Sequence, residues 1–257
     1  MVALPLAGKR VLVTRAAHQA GKLSDGLRAL GVEPVEVPVI EIRPPEDLRS
    51  LDQALSTLDS YDWLILTSAN TVRALAERAA ALGVNFAATA QLSVAAVGEA
   101  TAAAARAAGF AVTLVPETYV AESLTKSLAV HTRGKKVLLA RAAVARDVIP
   151  DALRATGATV DVVDAYRNVM PESAPELLRK ALLKGIAAAA FTSSSSVTHL
   201  ADAARLARIA FPFADVAAIS IGPITSKTLR KLGWEPAAEA SPSDVPGLIQ
   251  AIARALH

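Results

Sequence analysis

The chain repeats itself once, with an offset of about 125 residues. LTSANTV at 66–72 is matched by FTSSSSV at 191–197, an offset of 191 − 66 = 125. VLVTRA at 11–16 is matched by VLLARA at 137–142, an offset of 137 − 11 = 126. A repeat of this length is large enough to form one folding unit, so the sequence predicts two similar domains.

Strand-like and helix-like segments alternate within each copy. VLVT at 11–14 is typical of a buried strand, and Leu23, Leu27 and Leu30 follow it at helical spacing before Gly31 ends the helix. Strands that alternate with helices form parallel sheets covered on both faces. We therefore predict an α/β fold made of two similar parallel-sheet domains related by an internal pseudo-repeat.

One segment in each copy breaks the alternation. VEPVEVPVIEIRPP at 32–45 alternates apolar and polar residues but is interrupted by prolines, which cannot donate to a central ladder. VDVVDAYRNV at 160–169 holds the corresponding place in the second copy. We expect an edge strand or connector at each place, and we predict that connector strands at about 37–44 and 163–169 pair with each other.

Paired connectors would make one domain discontinuous in sequence. The first domain would then hold residues 1–37 and 168–257, and the second would hold residues 38–167, with the active site in the cleft between them. Two tandem domains divided near residue 133 are the alternative.

The composition limits the kinds of molecule that the protein can be expected to bind. A net charge of +3 without any run of Lys or Arg favours a local anion site over a nucleic-acid surface. The absence of cysteine excludes disulfides and thiolate chemistry and fits a cytoplasmic protein. The uncharged stretch at 79–98 is long enough to span a membrane, but it is rich in Ala and interrupted by polar residues. We expect a cytoplasmic monomer that binds neither nucleic acid nor membrane.

Small, hydroxyl-bearing and basic residues collect where the predicted strands end. Ligands of open parallel sheets bind beyond these carboxyl ends, where helix N-termini present backbone N–H groups to anions. Ordinary helix capping is the alternative role for each Ser, Thr or Asn. The predicted binding residues are Arg15, Thr67, Ser68, Ala69, Asn70, Gly98, Arg141, Arg146, Ser193, Ser194, Ser195, Gly222 and Thr225.

The sequence lacks the motifs of nucleotide binding, serine hydrolysis and metal binding. The sequence has no G-x-G-x-x-G fingerprint, no phosphate-binding G-x-x-x-x-G-K-[ST] loop and no G-x-S-x-G elbow. Its four histidines do not have the spacing of metal ligands. We therefore expect no cofactor and no metal. Tyr166, one of only three tyrosines, lies in a predicted connector strand, where it is either an aromatic anchor for a hinge or a proton donor.

Six segments carry the strongest pattern in the chain: TRAAHQAGKLSDGLRALG at 14–31, LTSANTVRAL at 66–75, VGEATAAAARAAGF at 97–110, RDVIPDALRATGATVDVVDAYRNV at 146–169, FTSSSSV at 191–197 and IGPITSKTLRKLG at 221–233. In this order, and over essentially the whole chain, they resemble uroporphyrinogen-III synthases.

The resemblance implies a cofactor-independent lyase of haem biosynthesis. Its substrate would be hydroxymethylbilane, a linear tetrapyrrole with many carboxylates, which is cyclised to uroporphyrinogen III with inversion of ring D and loss of water. The family's cleft tyrosine, proposed to help hydroxide leave, falls on Tyr166. A family turn falls on Gly222, Pro223 and Thr225, with Ile224 in place of a threonine.

A non-catalytic role is the alternative function. Two α/β domains could form a binding or regulatory module for a polyanionic small molecule without turnover. The isomer formed from hydroxymethylbilane distinguishes the two functions.

Overall fold

The computed structural model describes residues 6–86, 89, 91–116, 121–145 and 147–257. The strands are β1 (Arg10–Val13), β2 (Glu33–Glu36), β3 (Glu41–Arg43), β4 (Trp63–Leu66), β5 (Ser93–Ala96), β6 (Val112–Leu114), β7 (Lys136–Ala142), β8 (Thr159–Val169), β9 (Ala188–Phe191), β10 (Ala217–Ser220) and β11 (Pro236–Glu239). The helices are α1 (Ala17–Ala29), α2 (Arg49–Ser56), α3 (Ala69–Leu82), α4 (Glu99–Ala107), α5 (Ala121–Thr132), α6 (Val148–Ala155), α7 (Ala174–Leu182), α8 (Ser194–Ala207), α9 (Pro223–Lys231) and α10 (Val245–Leu256).

The chain divides into two compact units. Unit 1 holds Met1–Glu41 and Val169–His257, and unit 2 holds Ile42–Asn168. These divisions lie 41 − 37 = 4 and 168 − 167 = 1 residues from the boundaries expected from the sequence.

Unit 1 is built on a five-stranded sheet with the order β11-β10-β9-β1-β2, in which every pair of neighbours is parallel. Helices α7, α8 and α9 pack on one face, around Phe191 and Trp234. Helices α1 and α10 cover the other face, where Leu23 and Leu248 are fully buried. The predicted α/β class with a parallel sheet is confirmed.

Unit 2 is built on a six-stranded sheet with the order β3-β8-β7-β4-β5-β6. Helices α2, α3 and α4 pack on one face, and α5 and α6 on the other. Near the start of β4, the buried Tyr61 donates a hydrogen bond to Asp161 Oδ2 at 2.8 Å. Burial and this carboxylate raise the pKa of Tyr61 to about 12.

The connectors differ between the two copies. β2, which contains Pro34, is the edge strand of the first sheet, and β3 is the edge strand of the second, where β8 is its neighbour. The first copy changes from one sheet to the other between β2 and β3. The N–H groups of Val37 and Val39, on either side of Pro38, donate to the carbonyl oxygens of Val13 and Thr14. β8 runs without interruption through the equivalent positions.

The helices that follow β4 and β9 end in the same way but at different residue types. α3 is followed by Gly83 with φ 71°, and α8 by Arg208 with φ 58° and ψ 41°. The two positions are 208 − 83 = 125 residues apart. An L-residue other than glycine is strained in this left-handed conformation, so Arg208 carries a backbone cost that Gly83 does not.

The uncharged stretch at 79–98 falls partly in α3 and partly in β5. Among the described residues, no helix has both the length and the apolar character needed to cross a bilayer.

Candidate functional site

The turn from β4 to α3 carries four of the predicted binding residues. Ser68 is extended, with φ −162° and ψ 160°, and its Oγ caps α3 by accepting the Thr71 N–H at 3.1 Å. Ala69 and Asn70 occupy the first turn of the helix. Thr67 precedes the cap, and its Oγ1 lies 3.5 Å from the carbonyl oxygen of Ala140 on β7.

The turn from β9 to α8 repeats this geometry in unit 1. Ser193 has φ −166° and ψ 160°, and its Oγ accepts the Ser196 N–H at 3.1 Å. Ser196 Oγ accepts the Ser193 N–H at 3.3 Å, which completes a capping box. Ser194 and Ser195 form the first turn of the helix. Both serines of the repeat therefore cap helices, as the alternative role required. Each cap accepts one first-turn N–H group, and the other N–H groups of that turn have no intrahelical acceptor.

A second pair of turns is also duplicated. Gly98 precedes α4 with φ −169°, and Gly222 precedes α9 with φ 169°, so both are extended N-caps without a side chain. A Cβ on Gly222 would lie 2.8 Å from Ser243 Oγ, so the backbone is closely approached there. Thr225 is buried in the first turn of α9, whereas Ile224 is 59% exposed.

Tyr166 lies near the carboxyl end of β8 and contacts the turn from β4 to α3. Its OH is 3.2 Å from Ser68 Oγ, and the side chain is buried. Ser68 Oγ is also 3.0 Å from Thr71 Oγ1, which is in turn 3.4 Å from Thr67 Oγ1. Four hydroxyl groups therefore form a chain from the end of β4 to β8.

Arg141 stands near the end of β7, next to the same edge. Its Nη2 donates to Asp147 Oδ1 at 2.7 Å. Arg141 lines a cavity of about 200 Å³ whose other walls are Thr67, Val97, Leu139, Ala145, Val148 and Ile149. Within the described part of the chain, its lining thus combines apolar walls with one guanidinium and one hydroxyl.

Arg15 follows β1 at the corresponding edge of unit 1. Its Nε is buried and has no hydrogen-bond partner among the residues that the structure describes. Burial lowers the pKa of Arg15, because desolvation disfavours the charged form. The preceding Thr14 is fixed by a hydrogen bond from Oγ1 to the Ala190 carbonyl at 2.8 Å. A half-buried guanidinium at a strand end is suited to bind an anion.

The structure brings together some of the predicted residues within each unit. Thr67, Ser68 and Tyr166 share one hydroxyl chain in unit 2, and Thr67 and Arg141 line one cavity. In unit 1, Ser194 Oγ accepts from Thr228 Oγ1 at 2.9 Å and so links the first turn of α8 to α9. Arg146 lies outside the described residues.

Several polar residues at these edges are not among the binding residues predicted from the sequence. Thr71 and Ser196 each stand three residues after a capping serine, a spacing that signals a cap and would have identified them. Ser226 is fully buried, 2.6 Å from Ser220 Oγ, and donates to Glu239 Oε2 at 2.5 Å. Nothing in the local sequence indicates that last contact.

No group of three His, Asp or Glu side chains within the described ranges is arranged to hold a metal ion.

Comparison with known proteins identifies the family. A family model described as "Uroporphyrinogen-III synthase HemD" matches residues 21–250. The chain belongs to the uroporphyrinogen-III synthase family. A uroporphyrinogen-III synthase from Synechococcus elongatus is 36% identical over 264 residues, which cover 98% of this chain and 97% of that protein.

Solved uroporphyrinogen-III synthases share the fold. A mutant enzyme from the extremely thermophilic bacterium Thermus thermophilus matches with a TM-score of 0.66 at 23% identity, covering 97% of this chain and 99% of that one. The protein from Helicobacter pylori matches with a TM-score of 0.65 at 16% identity, covering 97% and 100%. The resemblance noted in the sequence is confirmed at the level of family and fold.

Proposed function

We propose that the protein acts as a uroporphyrinogen-III synthase, converting hydroxymethylbilane to uroporphyrinogen III with inversion of ring D and loss of water. The observation that carries this proposal is the 36% identity to a synthase along nearly the full length of both chains. Nearly every part of each chain has a counterpart in the other, and this supports the same activity in both.

The substrate's carboxylates match what the two sheets present. In each unit, the helices that follow neighbouring strands begin at the carboxyl edge, where the positive end of the helix dipole and backbone N–H groups attract anions. The proposed contacts are the first turns at Ser68, Ala69 and Asn70, at Gly98, at Ser193, Ser194 and Ser195, and at Gly222 and Thr225, together with Thr67, Arg15, Arg141 and Arg146. Among these, the buried Nε of Arg15 gives the clearest support, since it lacks a partner among the described residues.

The proposed chemistry needs one proton donor. Tyr166 would donate its phenol proton to the departing hydroxyl, so that the C–O bond breaks and oxygen leaves as water. The resulting azafulvene cation is attacked by ring D at the α-carbon that already carries its bridge to ring C, which gives a spiro intermediate. The bond from that α-carbon to the bridge carbon then breaks, and the bridge carbon bonds to the free α-carbon of ring D, so that ring D is inverted. The proton released when the pyrrole regains aromaticity returns to the tyrosinate. Water is then the only other product, so the reaction is that of a lyase.

Positioning would supply most of the selectivity. The substrate cyclises unaided to the I isomer, so the protein has to hold one folded conformation of a flexible chain. No cofactor is required by this scheme.

The test is the product isomer. Purified protein is mixed with hydroxymethylbilane with and without a chelator, and the products are separated by chromatography after oxidation. We expect the III isomer at equal rates in both samples. Tyr166→Phe should lower kcat by about 10²–10⁴-fold, the usual contribution of a general acid. Formation of the I isomer alone, at the uncatalysed rate, would contradict the proposal and favour a binding or regulatory module.

A further inference from the structure

The hydrogen bonds that Ser68 can make limit how the hydroxyl protons around Tyr166 can be arranged. Ser68 Oγ has two lone pairs and one proton, and one lone pair accepts the Thr71 N–H at 3.1 Å. Its two remaining neighbours are Thr71 Oγ1 at 3.0 Å and the Tyr166 OH at 3.2 Å. The Ser68 proton therefore goes to one neighbour, and its second lone pair accepts from the other.

The two possible arrangements have opposite consequences for Tyr166. If Tyr166 donates to Ser68, its phenol proton is occupied by the protein. If Thr71 Oγ1 donates to Ser68, then Ser68 donates to the phenol oxygen, and the phenol proton is available to a substrate. Thr71 Oγ1 keeps an acceptor position towards Thr67 Oγ1 in the second arrangement. Both arrangements give the Ser68, Thr71 and Thr67 hydroxyls a partner, and only the second leaves the phenol proton of Tyr166 free to reach a substrate.

We infer that Ser68 and Thr71 are positioning residues that direct the Tyr166 proton towards the substrate and stabilise the tyrosinate left behind. The inference rests on the proposed function, since it concerns the proton that the departing hydroxyl takes up. Hydrogen bonds strengthen when one partner is charged, so the Ser68 contact stabilises tyrosinate more than neutral tyrosine. Such a contact lowers the barrier rather than improving ground-state binding.

The internal repeat supplies a matched control for helix capping. Ser193 caps α8 with nearly the same backbone angles and the same 3.1 Å hydrogen bond as Ser68. The residue equivalent to Tyr166 is Ile40, since 166 − 126 = 40, and it has no hydroxyl. Ser68→Ala and Ser193→Ala thus remove the same cap, but among the residues that the structure describes only the first removes a contact with a phenol.

The experiment is a double-mutant cycle on kcat and KM. We compare the protein with Ser68→Ala, Tyr166→Phe and the double variant, using hydroxymethylbilane and counting only the III isomer. Ser68→Ala should lower kcat about 10–100-fold with little change in KM, the effect of a hydrogen bond to a charged group. In the Tyr166→Phe background the same substitution should change kcat by about twofold or less. Ser193→Ala should have the same effect in both backgrounds.

Two further variants separate the hydroxyl from the cap. Ser68→Gly keeps a residue favoured at N-caps but lacks the hydroxyl, and it should be slowed like Ser68→Ala. Ser68→Thr keeps both and should restore most of the rate. Equal effects of Ser68→Ala with and without Tyr166→Phe would overturn the inference, as would full activity of Ser68→Gly or of Tyr166→Phe. Failure of the proposed function itself would be recognised separately, because the unaltered protein would then yield only the I isomer.

Discussion

A charge placed at Ser193 tests whether the duplicated turns bind carboxylates. Ser193 is an extended N-cap whose Oγ accepts one backbone N–H at 3.1 Å. Asp and Asn both cap helices about as well as Ser, so neither Ser193→Asp nor Ser193→Asn should lose the cap. Asp also interacts favourably with the helix dipole, by about 0.3–1 kcal/mol. We therefore expect unchanged or slightly higher stability for Ser193→Asp.

Ser193→Asp should weaken substrate binding, although it keeps or raises stability. Two negative charges about 4–8 Å apart repel each other by roughly 2–4 kcal/mol at an effective dielectric constant of about 20. This corresponds to about 30–1000-fold weaker binding for Ser193→Asp. Ser193→Asn has nearly the same shape without the charge, so it isolates the electrostatic part.

The assay combines KM for hydroxymethylbilane at low and high salt with thermal unfolding of the same samples. A large increase in KM for Ser193→Asp, reduced by salt and absent from Ser193→Asn, is the expected result. Equal KM values for the two variants would refute the reasoning and leave the turn as a helix cap only.

Three further predictions concern stability. Arg208→Gly should raise the free energy of unfolding by about 0.5–1 kcal/mol in urea titrations, because glycine relieves the left-handed strain, whereas Arg208→Ala should not. Raising the pH from about 10 to about 12 should destabilise unit 2, since the raised pKa of Tyr61 means that the unfolded chain loses this proton first; Tyr61→Phe should flatten that part of the pH profile. Gly247→Ala should lower the thermal midpoint through a loss of about 1–3 kcal/mol or more, because its Cβ would lie 2.0 Å from the Pro242 carbonyl oxygen; Gly21→Ala, with open space around it, should be neutral or stabilising.

The sequence predicts the parallel sheets because their signals are local. Strand and helix periodicities and the turn glycines each act over a few residues, and the repeat shows most of them twice. The prolines of the connector are also a local signal, but they occur only in the first copy. Leu82 is an exception: it continues the helical spacing of Leu75 and Ala79, which are buried, and this spacing predicts burial, but Leu82 is 38% exposed at the end of α3. Packing against a neighbour, which periodicity does not include, decides such positions.

The candidate site was predictable as a set of strand ends but not as a set of contacts. Ser68 and Tyr166 are 166 − 68 = 98 residues apart, and their approach depends on how β8 is aligned with β7 and β7 with β4. No pattern near either residue fixes those alignments. The same holds for the buried Nε of Arg15, because burial is decided by the residues packed around it.

The sheet order of unit 1 also determines when the nascent chain can fold. β1 lies between β2 and β9, and 191 − 13 = 178 residues separate the end of β1 from the end of β9. At roughly 5–20 residues per second, translation of that interval takes about 9–36 s. During this time all of unit 2 is synthesised, while β1 has an open edge on the side that β9 will occupy. We therefore expect unit 2 to fold first, and the earliest strand synthesised to be among the last to gain both of its neighbours.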